Sequence, residues 1–249
     1  MRGIILAGGT GQRLDPLTRI TNKHLLPVYD RPMIYYAIEQ MAGAGLDRIM
    51  IVTGGAHAGE FLRLLGNGSA FGLRHLDYSY QDRPGGIAEA LGLAEYFAGG
   101  EPVVVLLGDN IFEHSIKGAV QRFAADPRGA RLVLAEVDNP SAYGVAEMRD
   151  GKLARIVEKP KDPPSKLVAT GLYFYDSRVF DMVKTLTPSG RGELEITDVN
   201  NDYLRRGELR HEQLTGYWAD CGESFAMLLR ASTLVAERGA NKPLPGALS

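Results

Sequence analysis

The first half of the chain alternates short aliphatic runs with stretches of helical periodicity, and this pattern constrains the fold more than any other feature. Runs at 3–7, 48–53, 74–81 and 103–107 read as strands, and 33–44, 57–65, 87–97 and 116–125 read as helices. In 87–97 the apolar positions Ile87, Ala90, Leu91 and Ala94 fall on one helical face. Val103 to Leu107 carries no polar residue, as expected of a central parallel strand covered on both sides. The alternation predicts an α/β protein built on a doubly wound, mainly parallel sheet.

The second half changes character. A strand is expected at 131–137, and 143–148 and 152–158 flank Arg149-Asp150-Gly151, a hairpin signal. A long apolar run at 167–175 adds another strand, so the sheet is expected to be mixed there. Helices are expected at 179–186, 193–206 and 224–238, followed by a frayed tail, Lys242-Pro243-Leu244-Pro245-Gly246. There is no internal repeat and no low-complexity linker. The 249 residues therefore read as one continuous domain.

Composition narrows the function classes. With 28 Lys+Arg against 30 Asp+Glu the net charge is −2, so no strong field points to nucleic acid or a membrane surface. A single cysteine, Cys221, excludes an internal disulfide framework and a multi-cysteine zinc site. No apolar run approaches the roughly 20 residues that span a bilayer, and the first apolar run lacks signal-peptide flanks. The expectation is a soluble, cytoplasmic protein.

Chemistry concentrates after the first strand, in Leu6-Ala7-Gly8-Gly9-Thr10-Gly11-Gln12-Arg13-Leu14. Glycines let backbone N–H groups approach a phosphate without an intervening Cβ. The loop has no Gly-Lys-Ser/Thr ending and no G-x-G-x-x-G spacing, which argues against a P-loop and a dinucleotide oxidoreductase. Arg13 offers a permanently charged fork for phosphate oxygens, and Lys23 adds a point charge.

These residues carry a resemblance. The loop with Pro16-Leu17-Thr18 and Lys23-His24-Leu25-Leu26-Pro27-Val28 resembles the signature of the sugar-1-phosphate nucleotidyltransferases. Tyr29-Asp30-Arg31-Pro32-Met33-Ile34-Tyr35-Tyr36 narrows it to the glucose-1-phosphate thymidylyltransferase branch. Matches continue through Gly108-Asp109-Asn110, Tyr143-Gly144-Val145, Glu158-Lys159-Pro160, the runs from Thr170 to Asp176 and from Arg191 to Asn200, and Trp218-Ala219-Asp220. The resemblance implies a Rossmann-like three-layer sandwich of nucleotidyltransferase type, with a nucleotide half at about 1–130 and a sugar half at about 131–240. It implies transfer of a nucleotidyl group from dTTP to glucose 1-phosphate, giving dTDP-glucose and pyrophosphate, with Mg²⁺. It also implies a homo-oligomer, a dimer or tetramer.

The implied chemistry suits the residue types. The attacking group is already an anionic phosphate, so no catalytic His, Ser or Cys is required. The five histidines show no metal-ligand spacing. Positioning and charge neutralisation of an in-line displacement remain. By resemblance, Asp109, at the end of an aliphatic strand, and Asp220 hold the metal. Arg13 and Lys23 serve the triphosphate and leaving group, and Lys159 serves the attacking sugar phosphate. Leu6, Gly8, Gly9, Thr10, Gly11, Gln81, Pro84, Gly86 and Asp109 bind the nucleotide, with Gln81 and the Gly86 backbone reading the base. Ile87, Asn110, Tyr143, Gly144, Glu158, Lys159, Thr170 and Trp218 line the sugar-phosphate pocket. Glu193 and Glu195 are expected to cap or brace a helix.

Cys221-Gly222-Glu223 departs from the Thr-Gly-Thr common in that branch, which bears on packing beside Asp220. The chain ends soon after the helix expected at 224–238, so a regulatory site built on a longer tail is not expected. Two other readings stay open. One keeps the reaction with UTP, another nucleotide or another sugar 1-phosphate. The other is a non-catalytic, nucleotide-sugar-sensing homologue, which should lose one of Arg13, Lys23, Asp109, Lys159 or Asp220; all five are present.

Overall fold

The structure, a computed structural model, describes residues 1–244. Its strands are β1 (Arg2–Ala7), β2 (Pro27–Val28), β3 (Arg31–Pro32), β4 (Arg48–Gly54), β5 (His75–Gln81), β6 (Val103–Leu107) and β7 (Asn110–Phe112), then β8 (Ala130–Glu136), β9 (Gly144–Arg149), β10 (Lys152–Glu158), β11 (Leu167–Tyr175), β12 (Leu209–Gln213) and β13 (Trp218–Asp220). The helices are α1 (Met33–Gly43), α2 (Ala58–Leu65), α3 (Ile87–Gly92), α4 (Glu95–Ala98), α5 (Lys117–Ala125), α6 (Val179–Thr185), α7 (Ile196–Arg205) and α8 (Phe225–Arg238). None is long and apolar enough to cross a membrane among the described residues.

A nine-stranded sheet runs β10-β9-β11-β6-β1-β4-β5, with β8 also on β11 and β12 on β8. β1, β4, β5 and β6 are parallel, whereas β11 runs antiparallel to β6, β8 and β9. The expected mixed, mainly doubly wound architecture is present. Period-2 alternation explains the double cover. Ile4, Leu6, Val103 and Val105 face a core formed with α3, α6 and α7, while Ile5, Ala7, Val104 and Leu106 face one formed with α1, α2 and α5. A third cluster under α8 takes Val28, Met33, Tyr36, Ile111, Tyr217, Ala219, Cys221, Ala231 and Val235.

Three expectations are corrected. The helix expected over 87–97 is two, α3 and α4, because Gly92 closes the first and the chain re-enters helix only at Glu95. The helix expected from 193 starts at Ile196, with Glu195 still extended at the N-cap position (φ −84°, ψ 130°). The tail is not frayed at its start: the Lys242 backbone N–H donates to the Glu113 carbonyl at 2.9 Å, and its ammonium lies 3.3 Å from Glu113 Oε1. Pro245 and Gly246 lie outside the described residues.

β11 shapes the site. One edge pairs with β6 at Leu172 to Tyr175, but with β9 only at Val168. The sheet forks between these points and leaves the edge of residues 169–171 uncovered. On the other edge the register with β8 shifts between Ala169 and Tyr173. The Thr170 hydroxyl donates to the Val133 carbonyl across this irregularity at 3.0 Å.

Candidate active site

In the parallel part of the sheet the strand order is third, second, first, fourth, so the winding reverses between β1 and β6. Ligands of open α/β sheets gather at the carboxyl ends of strands beside such a reversal. Both strands end there in chemistry-bearing residues: Leu6 pairs with Leu107, and the Gly108 N–H donates to the Leu6 carbonyl at 2.9 Å. The glycine loop and Asp109 therefore emerge side by side. Gly11 holds φ +63°, and a Cβ there would lie 2.8 Å from Thr18 Cγ2. Buried Leu14 anchors the loop, while Gly9, Thr10 and Arg13 remain exposed.

Asp220 joins Asp109 through strand pairing. β13 lies antiparallel to β7, with Asp220 opposite Asn110, and the Cys221 N–H donates to the Asp109 carbonyl at 2.9 Å. Lys23 is ion-paired with Asp109 Oδ2. Burial alone would raise the Asp109 pKa, but the Lys23 charge and the hydrogen bonds from Lys23 and Asn110 together outweigh it and hold the carboxylate low. Asp220 is pushed up, first by burial and then by the charge of Asp109. Burial opposes the Lys23 charge too, yet the two carboxylates hold its pKa above the ordinary value. His24 is the opposite case: burial and then Lys23 lower it to about 3, so it is neutral at pH 7. Its Nδ1 lies 2.7 Å from Asn22 Oδ1.

The donor set can hold a divalent cation. Among the described residues no three His, Cys, Asp or Glu side chains converge, so the chain would supply two carboxylates and leave the other positions to phosphate and water, as Mg²⁺ prefers. Gly222 keeps the approach open: a Cβ there would lie 2.5 Å from Asp109 Oδ2 and 2.8 Å from Lys23 Nζ. Gly222 is the one residue of 221–223 that matches the usual Thr-Gly-Thr, and the departing Cys221 is buried under α8.

Two cavities adjoin the pair. One, of about 230 Å³, is lined by residues including Leu6, Gly8, Gly9, Lys23, Gln81, Pro84, Gly86, Asp109 and Lys159. Gln81 enters from β5 and donates through Nε2 to Glu89 Oε1 at 3.1 Å and to the Gly86 carbonyl at 3.3 Å. Gly86 has φ +100°, and a Cβ on it would lie 2.5 Å from the Leu194 carbonyl oxygen.

The second cavity, about 170 Å³, opens at the fork in the sheet and shares Ile87, Leu107 and Lys159 with the first. Its wall includes Asn110, Tyr143, Gly144, Glu158, Trp218 and Asp220. Glu158 accepts from the Thr197 hydroxyl at 2.5 Å and from Arg191 Nη2 at 3.3 Å. Asn110 braces three neighbours: Nδ2 donates to Asp109 Oδ1 at 2.9 Å, and Oδ1 accepts from the Gly171 N–H at 2.9 Å and Trp218 Nε1 at 2.6 Å. Trp218 also meets Tyr143 edge-on, with ring centroids 5.3 Å apart. Lys159 holds φ +42°, a strained region for a non-glycine residue, with its N–H donating to the Tyr143 carbonyl at 2.9 Å.

Comparison with known proteins gives the family. Residues 2–238 match the model of the nucleotidyl transferase family. The chain belongs to that family. Nucleotidyl transferase relatives include the glucose-1-phosphate thymidylyltransferase of Actinoplanes sp., 47% identical over 232 residues, covering 89% of this chain and 76% of that protein. Another is the glucose-1-phosphate thymidylyltransferase of Mycolicibacterium smegmatis, 46% identical, covering 94% and 82%. A Bacillus anthracis structure described as a glucose-1-phosphate thymidylyltransferase in complex with a sucrose superposes with a TM-score of 0.89 at 50% identity, covering 94% of each chain. A UDP-glucose pyrophosphorylase complexed with UDP-glucose gives 0.81 at 25% identity, covering 95% and 98%.

Within this nucleotidyl transferase frame, most residues singled out in the sequence converge on the two cavities. Thr10 and Gly11 line neither cavity, and three more residues behave differently. Thr170 is buried and bonded to Val133 inside the sheet, while Ala169 and Gly171 on either side line the cavity. Asn110 has both ends of its amide engaged by protein groups. Arg13 borders the second cavity beside Tyr143 and Asp220 rather than the first, and makes no ion pair among the described residues. Glu195 accepts from Ser189 Oγ at 2.6 Å and from Arg191, so it braces the loop before α7 rather than capping the helix. The sequence reading missed Thr197, Arg191, Asn200, Gly171 and Glu89. Gly171 alone left a local signal, a glycine inside a strand; a Cβ on it would lie 2.6 Å from Asn110 Oδ1.

Proposed function

We propose that this chain transfers a thymidylyl group from dTTP to glucose 1-phosphate, releasing pyrophosphate and forming dTDP-glucose. The observation that carries the reading is Lys159. It borders both cavities, the first lined also by Asp109 and the second by Asp220, where an attacking phosphate would meet a triphosphate. The thymidylyltransferase name shared by relatives at 44–47% identity supports dTTP and glucose 1-phosphate as the substrates.

The nucleotide half, about 1–130, holds dTTP in the first cavity, with the glycine loop at the phosphates and Gln81 at the base. The sugar half, about 131–240, holds glucose 1-phosphate in the second. A phosphate oxygen of the sugar phosphate forms a bond to the α-phosphorus, and the bond from that phosphorus to the bridging oxygen breaks. The electron pair leaves with pyrophosphate. The nucleophile is anionic near pH 7, because a phosphate monoester loses its second proton at about pH 6. No side chain has to remove a proton. Lys159 neutralises and aligns the attacking phosphate, and Lys23 and Arg13 stabilise charge that moves to the leaving group. Glu158 accepts from sugar hydroxyls, held by Thr197 and Arg191. Asp109 and Asp220 would hold Mg²⁺. When bound, the cation supplies charge neutralisation at the phosphate oxygens.

Phosphorus NMR of the purified protein with dTTP, glucose 1-phosphate and Mg²⁺ tests the reading. Equimolar dTDP-glucose and pyrophosphate are expected. Release of inorganic phosphate without a nucleotide sugar would refute it.

A further inference from the structure

Glu89 lines neither cavity. It lies in the first turn of α3, and its carboxylate reaches back over the 82–86 loop. Oε1 accepts from Gln81 Nε2 at 3.1 Å, and Oε2 accepts from Arg83 Nη2 at 3.3 Å. The approach depends on Gly85, where a Cβ would lie 2.0 Å from Glu89 Oε2. The second acceptor on Gln81 Nε2 is the Gly86 carbonyl, at 3.3 Å.

An amide nitrogen carries two hydrogens, and here both point at acceptors. Turned over, Gln81 would set its carbonyl oxygen against a carboxylate and a carbonyl. That arrangement places acceptor on acceptor. The oxygen therefore faces the other way, toward Gly8, where a Cβ would lie 2.9 Å from Oε1. Gly8 and Gln81 both border the nucleotide cavity. The side chain thus presents that cavity with an acceptor rather than a donor.

We propose that Glu89 is a positioning residue for base selection, which locks the Gln81 amide so that its oxygen meets the pairing edge of the base. The proposal rests on the reading of Gln81 as the base-reading residue. Uracil and thymine carry a donor, N3–H, on that edge. Cytosine carries a bare N3 acceptor beside an amino group. A locked oxygen accepts from the first two bases and repels the third. Without Glu89 the amide keeps one weak partner, the Gly86 carbonyl, and is free to turn over and donate to cytosine.

Deoxyuridine and deoxycytidine triphosphates differ only at this edge, so their binding isolates the effect. Calorimetric titration of both into the full-length protein, Glu89→Ala, Glu89→Gln and Arg83→Ala is the test. The preference for dUTP over dCTP is expected to fall about tenfold or more in Glu89→Ala, the scale of one lost buried hydrogen bond. Glu89→Gln should fall between, since an amide oxygen still accepts from Gln81. Arg83→Ala should keep the wild-type ratio, because it removes a partner of Glu89 without touching Gln81. An unchanged ratio in Glu89→Ala, with both nucleotides weakened equally, would overturn the proposal. So would a shift in Arg83→Ala as large as in Glu89→Ala, which marks loop stability rather than amide orientation. Binding is read without turnover. Failure of the wild-type protein to join dTTP to glucose 1-phosphate would defeat the functional reading, while the binding ratio would still judge Glu89.

Discussion

The two cavities are built by different means. The cavity proposed for the nucleotide is made largely of backbone: a glycine loop one residue beyond β1, a second glycine pair at 85–86, and strand ends that deliver Gln81 and Asp109. The cavity proposed for the sugar phosphate is made of side chains from distant parts of the chain. Glu158 is held by Thr197, 39 residues on, and Asn110 by Trp218, 108 residues on. A backbone-built site is short in sequence and tolerant of neighbours. A side-chain network is precise, but each member depends on the others.

Mutations can break or sharpen this contrast. The largest effect is expected where the two sides meet. Asp109→Asn and Asp220→Asn should each lower turnover about 10²-fold or more, the scale of removing one preorganised charge contact. For Asp220→Asn the thermal midpoint should hold, because a buried carboxylate beside Asp109 is lost. Pyrophosphate release and a melting curve check both. Lys159→Ala should lower kcat/KM for glucose 1-phosphate about 10²-fold while shifting the KM for dTTP little. Equal losses toward both substrates would erase the proposed division of the site.

Thr197→Val tests the side-chain network. Glu158 loses its 2.5 Å donor, and the KM for glucose 1-phosphate should rise about five- to tenfold with the dTTP constant unchanged. Gly11→Ala tests the backbone side. A Cβ at φ +63° against Thr18 costs about 1–3 kcal/mol, so the dTTP KM should rise and the melting point fall.

The smallest effect on turnover belongs to Asp176, away from both cavities. It accepts from the Gly129 N–H at 2.7 Å, the Tyr203 hydroxyl at 2.8 Å and Arg178 Nε at 3.0 Å. Burial would raise its pKa, but Arg178, Tyr203 and Gly129 outweigh that and lower it. A lowered carboxylate pKa stabilises the fold above the unfolded value of about 4, and the stabilisation fades as pH falls below it. Asp176→Asn should therefore lower the melting point at pH 7, flatten its decline in acid, and leave turnover unchanged. Melting curves from pH 3 to 7 check the sign.

The contrast also explains what the sequence disclosed. The parallel half was legible because each strand and helix carries its own periodicity, and Gly8, Gly11 and Asp109 sit at strand ends fixed by that local pattern. β12 and β13 escaped notice because Leu209–Gln213 is mostly polar at the sheet edge and Trp218–Asp220 is only three residues long. Without β13, nothing local brings Asp220 to Asp109. Thr170 lies in a family-like block, but the register shift of β11 against β8, a pairing 37 residues distant, turns its hydroxyl to Val133. Glu89 reads as an ordinary helix-start acid until the fold places Gln81 beneath it.

In the proposed division of the site, the glycine-loop side takes dTTP and the forked-sheet side takes glucose 1-phosphate, with Lys159 between them. A pyrophosphate-release assay over four nucleoside triphosphates and several sugar 1-phosphates, run with Mg²⁺, tests it most directly. The highest kcat/KM is expected for dTTP with glucose 1-phosphate, and it should be lost in Asp109→Asn. A purine triphosphate as the best donor, or no sugar-dependent release from any pair, would contradict it.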